Sequence, residues 1–121
     1  MTTTKTQHSK FTKRTITIYT DKAKPIENIP ALCLGGLAYH KALNHSPGVV
    51  MGAYVVTHIA SGCKIAEFGR QVGCRFLIER IKGLVDWEAA KDRASVMAAM
   101  TPEKVKEFHR IRTEVRETVS L

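Results

Sequence analysis

Around Ser61-Gly62 the chain gathers an imidazole, a thiol and an amine: His58, Cys63 and Lys64, in the stretch YVVTHIASGCKIAEF at residues 54 to 68. A thiol becomes a nucleophile when an imidazole lies in hydrogen-bond reach and a third group orients that base. Two β-rich runs flank the turn, so the hairpin register decides which groups meet. Ser-Gly is a weak two-residue turn, and a three-residue Ala60-Ser61-Gly62 loop with Gly62 left-handed competes with it. In the three-residue register Ile59 faces Cys63, Thr57 faces Ile65 and Val55 faces Glu67 on one side. Tyr54 then faces Phe68, Val56 faces Ala66 and His58 faces Lys64 on the other. That register separates Cys63 from His58 and argues against catalysis. A buried, inert thiol is the expectation for Cys33, Cys63 and Cys74.

Other chemistry is sparse. His40, His45, His58 and His109 with the three cysteines lack the close ligand pairs of a structural zinc site, so no metal is expected. No Walker loop, GxGxxG, GxSxG or HExxH occurs, and Gly35-Gly36 alone is too short to cradle a phosphate. The acids Asp21, Glu27, Glu67, Asp86 and Glu88 form no close pair of the kind a two-metal nuclease uses. Neither an enzyme nor a cofactor is indicated.

What the hairpin offers instead is a face. Alternation puts Val55, Thr57 and Ile59 on one side and Tyr54, Val56 and His58 on the other. With the first set under the following helix, the second set lies open and mixes aromatic with basic groups. Single-stranded nucleic acid needs such a surface: rings stack on unpaired bases, for about 1–3 kcal/mol each, while Lys and Arg neutralise phosphates. Tyr19, Tyr39 and Phe68 join Tyr54 on it if the strands are adjacent. Tyr54, His58 and Lys64 are the expected contacts on the sheet.

Charge points to the same partner. The net charge is +8, and residues 1 to 24 hold Lys5, Lys10, Lys13, Arg14, Lys22 and Lys24 against Asp21 alone. Residues 25 to 68 are neutral, and 69 to 121 hold eleven bases against eight acids. A basic excess gathered on an N-terminal arm, residues 1 to 13, suits a polyanion. Lys5, Lys10, Lys13 and Arg14 are the expected phosphate contacts. No apolar run reaches the roughly eighteen residues of a membrane helix, and no secretory signal pattern stands at the N-terminus. Three cysteines without CxxC spacing fit a reducing cytoplasm.

One domain of residues 14–121 must position these groups. TITIYT alternates like a strand, Pro25 and Pro30 bracket a loop, and ALCLGGLAYHKAL reads as a strand bent at its glycines. NHSPG, residues 44 to 48, reads as a turn. From Arg70 the period becomes 3.6: Cys74, Leu77, Ile78, Ile81, Leu84 and Val85 share an arc of a helix over 70–85, with Val72 and Phe76 opposite. Asp86 caps a short helix from Trp87. Thr101 and Pro102 open a last helix whose stripe is Val105, Phe108, Ile111, Val115 and Val119. The fold class is α+β: a three- or four-stranded antiparallel sheet covered on one face by a long helix, with C-terminal helices.

Over residues 14 to 86, this order of elements is similar to that of Whirly-type and transcriptional-coactivator-type single-stranded DNA-binding domains. The resemblance is one of element order, and no signature residue of either family carries over. It implies a homodimer that binds single strands across a curved sheet. The expectation is therefore a non-catalytic protein that binds single-stranded DNA or RNA, with no membrane association. The alternative is a protein-interaction module, an adaptor or inhibitor of the kind mobile elements carry, docking on a protein partner through Phe108 and Ile111 of its C-terminal helix.

Overall fold

The computed structural model describes residues 11–19, 25–42 and 53–119. Five antiparallel strands run in sequence order: β1 (Thr12–Ile18), β2 (Ile26–Leu34), β3 (Leu37–Lys41), β4 (Tyr54–His58) and β5 (Cys63–Phe68). Among the described residues three helices follow: α1 (Gln71–Ile81), α2 (Arg93–Ala99) and α3 (Pro102–Val119). No helix among the described residues is long and apolar enough to cross a membrane. Thr12 and Lys13 belong to β1 rather than to an arm. The NHSPG turn lies outside the described residues.

The extra strand comes from two punctuation marks that do not break the sheet. Pro30 sits inside β2, opposite Thr15 of β1. Pairing of β2 with β3 stops at Leu32↔Tyr39, before reaching Pro30, whose missing N–H could not extend that ladder. Gly35-Gly36 is not a bend in one strand but the two-residue turn of a hairpin closed by Leu34↔Leu37. Both glycines have positive φ, 62° and 86°, as a type I′ turn demands. Gly36 is doubly constrained, since a Cβ there would lie 2.9 Å from the Trp87 and Glu88 backbone.

Helix α1 lays Cys74, Leu77, Ile78 and Ile81 on Leu37, Tyr39, Val56, Ala66 and Phe68 of the sheet. Gly73 lets the helix start close to the Phe68 ring, 2.7 Å from where a Cβ would stand. The chain after α1 turns rather than continuing as helix, and Trp87 tucks into the core with its Nε1–H donating to Ile81 O at 2.8 Å. Asp86 caps only a turn there, through Ala89 N at 3.1 Å. The short helix begins later, with Asp92 accepting from Ser95 N at 2.8 Å. Helix α3 runs antiparallel to α1 and buries Phe108, Ile111 and Val115. Val72 and Phe76 of α1 stay exposed.

The faces of the hairpin are the reverse of those expected. Tyr54, Val56 and His58 lie on the helix-covered side, while Val55 and Thr57 face away with Ala38 and His40. The second face has its own cluster of Ile16, Ile18, Ala31, Cys33 and Ala38. Ile26, Ile29 and Ile59 pack against it. The sheet curls so that the end of β1 reaches the β4–β5 turn, where Tyr19 N donates to Gly62 O at 3.0 Å.

Candidate nucleic-acid interface

Where β2 leaves β3, a split opens through the sheet. Its walls are Pro30, Ala31 and Leu32 on one side and Tyr39, His40 and Lys41 on the other. Lys13 and Arg14 border it from β1, Tyr54 from β4 and Gln71 from α1, around a cavity of about 350 Å³. Alternation sends Lys13 and Arg14 to opposite faces of β1, and both line the split. No acidic residue among those described lines it. Lys13, Arg14 and Lys41 are exposed and have no ion-pair partner among the described residues.

Aromatic groups sit beside these cations. The Phe11 ring meets Tyr39 edge-on at 5.7 Å between centroids, and the Arg75 guanidinium lies 5.5 Å over Phe11. Gln71 Nε2 donates to the Tyr54 hydroxyl at 3.4 Å. Burial pushes the Tyr39 phenol up from its ordinary pKa, with the Arg75 charge opposing. The phenol therefore stays neutral near pH 7 and serves as a ring and a hydroxyl, not as a base. His40 stiffens the floor: Nδ1–H donates to Lys41 O at 2.8 Å, and Nε2 bonds Thr57 Oγ1 at 2.9 Å.

Of the contact residues expected from sequence, three meet here, Lys13, Arg14 and Tyr54, together with Tyr39 of the expected aromatic face. Lys5 and Lys10 lie outside the described residues. His58 and Lys64 are at the far end of β4 and β5. His58 is completely buried, with Nε2–H donating to Trp87 O at 2.7 Å and Nδ1 bonded to Ser61 Oγ at 2.7 Å. It is a pin between sheet and loop, not a surface contact. Lys64 pairs with Glu67 at 3.3 Å on an exposed edge. The expected platform also changes character, since Tyr39 and Phe68 are core residues and only Tyr19 stands well out of it.

Lys41, Arg75 and Gln71 went unread as site residues. The signal in the sequence was the alternation that puts Lys41 on the face of Tyr39 and the 3.6 period that brings Gln71 and Arg75 to one side of α1.

The hairpin register explains the rest. Pairing follows the three-residue expectation from Tyr54↔Phe68 to Val56↔Ala66, then shifts at a bulge that leaves Ile65 unpaired. Beyond it Thr57 faces Lys64 and His58 faces Cys63, so the thiol and imidazole share a face after all. Even so, Cys63 Sγ turns to Ser61 O at 3.7 Å, and Ser61 takes the imidazole. Cys33 and Cys74 are buried; burial pushes the Cys74 thiol up to about 12, which leaves it inert near neutral pH. Among the described residues no group of three or more His, Cys, Asp or Glu is placed to hold a metal ion. No family model matches the chain, and no curated protein or solved structure is similar enough to match.

Proposed function

We propose that the protein binds single-stranded nucleic acid in the split between β2 and β3. The observation that carries this reading is the lining itself: among the described residues, Lys13, Arg14 and Lys41, without ion-pair partners, surround a cavity that also holds Tyr39 and Tyr54 and no acid. Cations at the rim would neutralise phosphates. An unpaired base entering the split would find ring surface from Tyr54 and hydrogen-bonding groups from Gln71 and the tyrosine hydroxyls. A duplex keeps its base faces stacked away and gains only the charge. Docking of a protein partner through Phe108 and Ile111 has less support, because both side chains are buried beneath α3.

Fluorescence anisotropy with labelled single-stranded DNA, single-stranded RNA and duplex DNA tests the proposal. For about four phosphate contacts, single-strand affinity should fall roughly fiftyfold between 50 and 200 mM salt. Arg14→Glu and Lys41→Glu should each weaken binding about tenfold or more, while Lys64→Glu leaves it unchanged. Equal sensitivity to all three substitutions would reduce the site to diffuse charge. Absence of binding at low salt ends the reading.

A further inference from the structure

At the other end of β4 from the split, a second cavity of about 480 Å³ lies between the β4–β5 turn and α2. Tyr19, Ile65, Val96 and Met97 give it apolar walls, and Lys64 and Arg93 border it. Ser61 lines it, partly exposed, directly in front of the buried His58. We propose that Ser61 is a nucleophile, activated by His58, that accepts acyl groups from esters with a short apolar chain. The proposal is independent of the nucleic-acid reading and shares no residue with that cleft.

Hydrogen bonding sets the roles. A carbonyl only accepts, so the 2.7 Å contact to Trp87 O requires the hydrogen on His58 Nε2. In the neutral ring the lone pair then sits on Nδ1, 2.7 Å from Ser61 Oγ. Ser61 Oγ accepts from Cys63 N at 3.2 Å, which leaves its own proton for Nδ1. Trp87 is held in turn by its bond to Ile81 O. Nucleophile, base and orienting group are thus in a line, the arrangement that nucleophilic catalysis needs.

In the reaction Oγ attacks the ester carbonyl carbon while its proton passes to Nδ1. The bond from that carbon to the leaving oxygen then breaks, and Nδ1 returns the proton to the departing alcohol. Acyl-serine and free alcohol are the products, with no change of oxidation state. His58 is completely buried, so Nδ1 exchanges protons with the cavity only beside Oγ, where the alcohol departs. An acyl group on Oγ then covers that opening against water, so deacylation is slow and the signature is a burst rather than fast turnover.

The test uses the full chain with p-nitrophenyl butyrate, and in parallel an alkyl fluorophosphonate followed by peptide mass mapping. The expected result is a burst of about one equivalent of p-nitrophenol per chain, with the adduct on Ser61. Ser61→Ala should abolish both while the chain stays folded by circular dichroism. No burst and no adduct would overturn the proposal and leave Ser61 as a link within the turn. An adduct on Cys63 or Lys64 would overturn it equally. Mapping on the unsubstituted chain decides this even if Ser61→Ala does not fold.

Discussion

His58 has both ring nitrogens committed inside the protein, to the Trp87 carbonyl and the Ser61 hydroxyl. Removing the ring strands a buried carbonyl and opens a cavity between the sheet and the loop that carries Trp87. Loss of hydrogen bonds to buried groups costs about 1–3 kcal/mol, and the cavity adds to it. His58→Ala should therefore lower the urea midpoint by the equivalent of about 3 kcal/mol. Affinity for single-stranded DNA, measured well below that midpoint, should not change. A surface contact would show the opposite pattern. Ser61 beside it looked like turn material in the sequence, because its hydroxyl matters only once residue 58 is turned inward. The helix covering the face of Tyr54, Val56 and His58 brings that about, and a two-residue periodicity does not say which face is covered.

At the scale of elements, α1 and α3 were readable because each repeats apolar residues every three or four positions and α3 opens with Thr101 and Pro102. Thr101 Oγ1 accepts from Lys104 N at 3.3 Å, as an N-cap should. What periodicity did not decide was the use of the α3 stripe: the same Phe108 could dock on a partner or fill the core. It fills the core, with the Arg112 guanidinium 5.4 Å over its ring. Phe108→Ala should cost about 3–4 kcal/mol in chemical denaturation, as a buried aromatic does. An effect under 1 kcal/mol would mean that the ring is a surface group. β2 was illegible for a different reason. Pro30 and Gly35-Gly36 normally end elements, but an edge ladder tolerates a proline, and a hairpin requires the glycines. Asn28, in the left-handed region at φ 61°, takes up the irregularity in the β1–β2 pairing.

Across the whole molecule, charge and curvature act together. The excess of base lies towards the N-terminus, and β1 carries Lys13 and Arg14 to the place where the sheet splits. If Lys5 and Lys10 extend the same phosphate track, deleting residues 1–10 should make the slope of log affinity against log salt shallower by about 1.4 on single strands, from two lost contacts. An unchanged slope would confine binding to the split. Exposed ion pairs on α3, such as Arg110 with Glu107 and Glu114, leave that face close to neutral.

Local signals in the sequence were enough to determine the α+β class, the β4–β5 hairpin, the two long helices and the basic N-terminal bias. Each of these depends on neighbours within a turn or two of chain: alternation, helical period, caps and net charge. The tertiary structure alone decided which face of the sheet the helix covers, that β2 passes through a proline, and that Lys13, Arg14, Lys41 and Tyr54 share one opening. Those outcomes depend on contacts between residues far apart in the chain. A single-residue shift of register reverses every side chain beyond it, and no local pattern records that shift.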